Sequence, residues 1–173
     1  MVPATSLRSP TLEDLEYTLA HSLLSSKVPD SVSDGLPRKP TVVIDGLDFL
    51  LAAKPTTEAS QLHHFLLRTL ATCSSLVVSC HADTPLLHQR DEAATPLERG
   101  HASFITTLAH QARLVMQLRG LDTGAARDVS GVIRISHGGQ YEDGQEVEAN
   151  AGEGEWLYQC KSDGSVKVWS RGE

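Results

Sequence analysis

The order of apolar segments predicts a mixed α/β fold that ends in an antiparallel hairpin. Two β-branched runs, at residues 41–45 and 76–80, alternate with segments of helical periodicity, as in a parallel sheet covered by helices. Consecutive strands follow, and the last two are joined around Asp163-Gly164, a dipeptide typical of tight hairpin turns. The length of 173 residues fits about one domain.

The composition is that of a globular chain with a local excess of acid. Hydrophobic residues make up 40% of the chain and charged residues 21%, which is enough apolar surface for a core. Fifteen Lys and Arg against 22 Asp and Glu give a net charge of -7, and six of the acids lie between Glu142 and Glu155. We expect no autonomous binding of nucleic acid, because phosphate contacts need clustered basic side chains.

The cysteines predict neither a disulfide framework nor a paired metal site. Cys73, Cys80 and Cys160 are scattered, and each lies in an apolar run, so we expect reduced, buried thiols. No apolar run approaches the roughly 18 residues of a membrane span, and no signal sequence is evident. These features predict a soluble, intracellular protein without a membrane partner.

Residues 1–40 predict one helix followed by a proline-rich loop. Leucines at the spacing of one helix face predict the helix over 12–27, and three prolines within 29–40 predict the loop. We therefore separate this N-terminal region from an α/β domain over 41–173. Within that domain, residues 138–154 are expected to form an acidic mobile loop.

The centre of the chain predicts alternating strands and helices. A strand covered on both faces is expected at 41–45, a helix at 58–73, a strand at 76–80, a helix at 96–112 and a strand at 113–118. The first of these helices is predicted to carry Leu62, Phe65, Leu66 and Leu70 on one side, and the second is predicted to face inward with Phe104, Ile105 and Leu108.

The end of the chain predicts a strand at 131–136 and a hairpin of 156–161 with 165–170. A two-residue turn gives one face with Trp156, Tyr158, Trp169 and Arg171 and the other with Leu157, Val166 and Val168. Since both faces are largely apolar, either the fold covers both of them or one face binds a partner.

Asp45 is the candidate for nucleotide chemistry. An apolar strand that ends in aspartate resembles the magnesium-coordinating strand of P-loop nucleotide hydrolases. Such an aspartate acts beside a phosphate-binding Gly-Lys loop, and this chain has no Gly-Lys dipeptide. We therefore favour a role as strand-end anchor. The alternative is a hydrolase protomer that uses Asp45 with a phosphate loop from a neighbouring subunit.

The other polar candidates are better explained as structural residues. His63 and His64 are adjacent, and neighbours on a helix point about 100° apart, so they are not expected to share a metal ion. Cys80 and His81 follow a strand, where successive side chains face opposite sides, so a catalytic thiol pair is not expected. We predict no metal and no cofactor.

The segment 119–131 joins two strands through a loop rich in glycine, arginine and aspartate. In the structural interpretation, which we favour, the glycines permit tight turns while Arg127 and Asp128 hold the loop by hydrogen bonds. In the functional interpretation, Arg119 or Arg127 is presented to a phosphate or a neighbouring subunit.

Several segments resemble the Elongator complex protein 6 family. They are Leu114–Gly124, Arg127–Val129, Gly131–Ile135, Trp156–Lys161, Val166–Trp169 and Val42–Leu47. The resemblance implies a RecA-like α/β fold, a P-loop-type sheet that has lost its phosphate loop. Family members usually carry a longer front part with a first strand, whereas this chain begins close to the aspartate-bearing strand; truncation and natural absence both stay open.

The same resemblance implies a non-catalytic subunit of the Elongator complex. Family members form a hetero-hexameric ring with the fourth and fifth Elongator subunits, in the cytoplasm and also the nucleus. The ring binds tRNA and attaches to the catalytic subcomplex that modifies wobble uridines. The paralogous fifth subunit is an alternative, although the Thr-Gly-x2-Arg-Asp-Val run favours the sixth. Candidate contacts with partners or tRNA are Arg119, Arg127, Asp128, Trp156, Tyr158 and Trp169.

Overall fold

The computed structural model describes residues 5–25, 39–54, 56–83, 87, 94–121, 124, 128–140 and 152–170. The chain divides into two compact units, Met1–Thr106 and Thr107–Glu173. The division predicted from the sequence, between residues 40 and 41, falls inside the first unit, and most of the predicted acidic loop lies outside the described residues. No described helix is long and apolar enough to cross a membrane.

The first unit combines helices with a parallel pair of strands. Its elements are α1 (Leu12–Ser25), β1 (Thr41–Ile44), α2 (Phe49–Ala53), α3 (Ala59–Thr72), β2 (Ser75–Val78) and the first part of α4 (Pro96–Gln111). The two strands pair in parallel, with Thr41 opposite Ser75 and Ile44 opposite Val78. These strands and the three longer helices were predicted to within about two residues, and the short helix α2 was missed.

Side-chain caps define where the three longer helices begin. The hydroxyl of Thr11 accepts a hydrogen bond from the amide of Asp14 at 3.2 Å, ahead of α1. Ahead of α3, the side chains and amides of Glu58 and Gln61 are bonded reciprocally, which is a capping box. Thr95 and Glu98 form the same arrangement ahead of α4. Each cap satisfies amides that have no partner within their own helix.

The core of the first unit combines aliphatic side chains with two phenyl rings. Its least exposed large side chains are Leu47, Leu62 and Phe104. Around them lie Val42, Ile44, Leu50, Leu51, Phe65, Leu66, Cys73 and Ala102. The inward position predicted for Phe104 is thus confirmed, and Ile105 and Leu108 are half-buried. On the apolar side predicted for α3, Leu62, Phe65 and Leu66 are buried, whereas Leu70 is 49% exposed.

The parallel strands are covered on one face only. Val42 and Ile44 are buried, whereas Val43 is 66% exposed and its neighbour Val77 is 52% exposed. The prediction that the first strand is covered on both faces is therefore wrong. Its continuous β-branched composition reflects strand propensity, which an exposed face satisfies as well as a buried one.

The second unit is a four-stranded antiparallel sheet in the order β3-β4-β5-β6. The strands are Leu114–Arg119, Gly131–His137, Gly154–Cys160 and Val166–Ser170. The third strand was expected to continue the alternating α/β sheet, but it pairs antiparallel with β4, from Leu114 opposite His137 to Arg119 opposite Val132. The described fold is therefore mixed α/β, with a parallel pair and a separate antiparallel sheet.

The turn between β5 and β6 contains one more residue than predicted. The amide of Gly164 bonds the carbonyl of Lys161 at 3.0 Å, and the amide of Lys161 bonds the carbonyl of Ser165 at 2.9 Å. Gly164 has φ +81°, so this is a three-residue turn with a glycine bulge. Leu157 therefore lies opposite Trp169, and the predicted pairing of Tyr158 with Trp169 is wrong by one position.

Candidate interaction surface

One side of the four-stranded sheet, here called the apolar face, has no Asp, Glu, Lys or Arg at its strand positions. Residues opposite each other in an antiparallel sheet share a face, and the face alternates along each strand. The register places on it Leu114, Met116, Leu118, Ile133, Ile135, Trp156, Tyr158, Val166 and Val168. Within the described strands, no Asp, Glu, Lys or Arg interrupts the apolar face from β3 to β6, and its one basic side chain is the imidazole of His137 opposite Leu114.

The apolar face is most exposed along its two outer strands. On β3, Met116 is 63% and Leu118 is 62% exposed, and on β6, Val166 is 59% and Val168 is 50% exposed. The central side chains Ile133, Ile135, Trp156 and Tyr158 are half-buried. Contiguous apolar surface of this kind marks a site of protein interaction more often than isolated exposed residues do.

Aromatic rings and glycines fit together across the two central strands. Gly131 lies opposite Tyr158, and a Cβ added there would lie 2.4 Å from the carbonyl oxygen of Arg119 and 2.8 Å from the tyrosine ring. A Cβ at Gly154 would likewise meet the Trp156 ring at 2.8 Å. The glycines thus leave the space that the two aromatic rings occupy.

The opposite side, here called the polar face, carries most of the charge of the sheet. Arg119, Arg134 and Lys167 lie on it with one acid, Glu155. The guanidinium of Arg119 lies 3.6 Å from the Glu155 carboxylate. The ammonium of Lys167 lies 5.6 Å from the ring centroid of Trp169, a cation–π contact.

The predicted contact residues are divided between these surfaces. Trp156 and Tyr158 lie on the apolar face, whereas Arg119 and Trp169 lie on the polar face. Asp128 is exposed ahead of β4, and Arg127 lies outside the described residues. Sequence reasoning missed the contributions of β3 and β6 to the apolar face. The alternation of large apolar residues at 114, 116 and 118 was the signal for β3.

Asp45 joins the ends of the two parallel strands. Its carboxylate accepts a hydrogen bond from the hydroxyl of Ser79, which follows β2. The next amide, that of Gly46, bonds both the backbone carbonyl and the hydroxyl of Ser79 at 3.1 Å. Gly46 has φ +66°, a conformation that favours glycine. This geometry is that of the strand-end anchor expected from the sequence.

A polar cluster around two buried side chains, Asp48 and His101, lies just beyond these strand ends. The Asp48 carboxylate lies 3.1 Å from Nδ1 of the exposed His81 and 3.6 Å from Nε2 of His101, and its other oxygen has no hydrogen-bond partner among the described residues. Burial, and then the charge of Asp48, raise the pKa of the Cys80 thiol to about 12. Cys80 therefore stays protonated and is a poor nucleophile near neutral pH. No sequence pattern indicated that Asp48 and His101 would meet in this cluster.

The remaining histidine and cysteine candidates occupy structural or exposed positions. The ring of His63 packs against Phe104, with centroids 4.9 Å apart, and His64 is exposed. Within the described ranges, no group of three or more His, Cys, Asp or Glu residues could hold a metal ion. Cys73 is buried as predicted, but Cys160 is exposed because it ends β5 at the hairpin turn.

The fold and surfaces define a mixed α/β chain that presents an uncharged sheet face suited to another protein. The chain belongs to the Elongation complex protein 6 family, whose model matches residues 7–153. It is also similar to Elongator complex protein 6 of Xenopus laevis, with 30% identity over 108 residues. That alignment covers 61% of this chain and 38% of the relative, so the chain spans well under half of that protein.

Proposed function

We propose that this chain is a non-catalytic assembly subunit of the Elongator complex. It joins the fourth and fifth Elongator subunits in a hetero-hexameric ring, which supports tRNA binding and wobble-uridine modification by the catalytic subcomplex. The observation that carries the proposal is the exposed apolar face of the antiparallel sheet. Membership in the family supports the choice of complex.

Burial of the exposed side chains on the outer strands, β3 and β6, would stabilise an assembly. Met116, Leu118, Val166 and Val168 each expose at least half of their surface. At about 25 cal/mol per Å², burying the exposed part of each side chain contributes about 1 kcal/mol to the free energy of association. Interface cores are depleted in charge and enriched in aromatic residues. The apolar face, with Trp156 and Tyr158 at its centre, has this composition.

The polar face is proposed as a contribution to tRNA binding by the assembled ring. Arg119, Arg134 and Lys167 outnumber the single acid on this face, and Trp169 offers an aromatic ring beside them. Basic side chains neutralise phosphates, and aromatic rings stack on bases. The chain as a whole has a net charge of -7, so this surface acts with those of its neighbours.

The fold is proposed to be RecA-like with a lost phosphate loop. A parallel strand pair with an aspartate directly after β1 supports this interpretation. In this account Asp45 no longer serves a nucleotide, and its carboxylate instead binds the hydroxyl of Ser79.

A substitution on the apolar face tests the assembly proposal. Met116→Glu places a charge on a face without Asp, Glu, Lys or Arg at its strand positions, so co-purification with the fourth and fifth Elongator subunits should fall at least tenfold. Gln117→Glu is the matched control, because it adds the same charge to the adjacent, exposed residue on the other side of β3. Equal recovery of both variants, each folded by circular dichroism, would show that the apolar face is not the contact.

The second candidate function is nucleotide hydrolysis with a phosphate loop from a neighbour. The position of Asp45 favours it, because α/β proteins bind ligands at the carboxyl ends of their parallel strands. The assay is ATP hydrolysis by the ring that contains Asp45→Asn. The assembly proposal predicts no change, whereas loss of hydrolysis with the ring intact would establish the enzymatic alternative.

A further inference from the structure

We draw no further inference here: the strongest candidate, the half-buried side-chain cluster of Asp48, Cys80, His81 and His101 beyond the carboxyl ends of β1 and β2, carries nothing because its described side chains form no group that could hold a metal ion and nothing in the structure shows what else would occupy it.

Discussion

Two aspartates near the end of β1 show how environment divides the roles of identical side chains. Asp45 is exposed and binds the Ser79 hydroxyl, whereas the Asp48 side chain, 8% exposed, lies against His81 and His101. A buried carboxylate must be paired with cations or hydrogen-bond donors, which explains the imidazoles on it. The negative charge of Asp48 also raises the pKa of the Cys80 thiol, which helps to keep that thiol protonated.

The three cysteines should differ in reactivity. At about pH 8, iodoacetamide should modify the exposed Cys160 first, because burial raises the pKa of both Cys73 and Cys80. Asp48→Asn removes a negative charge that raises the pKa of Cys80, so it should speed modification of that residue and leave Cys160 unchanged. Peptide mass spectrometry over time measures both rates. Modification of Cys80 as fast as Cys160 in the unmutated protein would contradict this account.

Gly131 should tolerate no side chain. Gly131→Ala brings a Cβ within 2.4 Å of the Arg119 carbonyl and 2.8 Å of the Tyr158 ring, so β3, β4 or the ring must shift. We expect the free energy of unfolding to fall by about 1–3 kcal/mol, the usual cost of overpacking. Gly120→Ala is the control, since an added Cβ there meets nothing within 4 Å. Urea unfolding measures both, and equal stabilities would refute the tight fit.

Among the secondary-structure elements, α4 begins at a capping box whose contribution to stability should depend on pH. Hydrogen bonds from the amide and hydroxyl of Thr95 lower the pKa of the Glu98 carboxyl. A lowered pKa means that the cap contributes stability above the ordinary carboxyl range and that this contribution is lost as the pH falls through the lowered value.

Glu98→Gln should therefore make the stability of the protein less dependent on pH in the acidic range. The amide side chain still accepts a hydrogen bond from Thr95 but has no proton to gain, so the variant should be less stable than the unmutated protein near neutral pH. The difference between them should shrink as the pH falls below about 4.5. Thermal unfolding between about pH 6 and pH 3 measures this convergence. A constant difference across that range would mean that the charge of Glu98 plays no part in the cap.

The elements were predictable where short-range signals determine them. Apolar residues at helical spacing located α1, α3 and α4, because a helix is built from contacts three and four residues apart. The pairing of β3 was not predictable, since its sequence is compatible with either sheet and its partner is chosen by non-local contacts. The hairpin shows the same limit: Asp163-Gly164 located the turn, but its length was wrong by one residue.

The additional residue in the β5–β6 turn changes which side chains form the candidate interaction surface. A shift of one position in register moves every side chain of a strand to the other face of its sheet. Trp169 therefore lies with Lys167 on the polar face, and Val166 and Val168 join Trp156 and Tyr158 on the apolar face. Composition alone made the hairpin a candidate contact region, whereas the division into an apolar and a polar face required the observed register.

At the scale of the whole molecule, the apolar face and the family membership both support a role in an assembly. In each unit an apolar strand surface is left exposed, at Val43 and Val77 in the first and along the apolar face in the second. A chain with such surfaces gains stability when partners cover them, since burial of apolar area is the main favourable term in association. We therefore propose that this protein acts as one member of an assembly.

The mass of the complex purified after co-expression with the fourth and fifth Elongator subunits tests this central claim most directly. Native mass spectrometry should find the chain in a hexamer that contains all three subunits, and Met116→Glu should deplete it from that hexamer while Gln117→Glu does not. A folded chain that remains alone, beside partners that assemble without it, would contradict the proposed function.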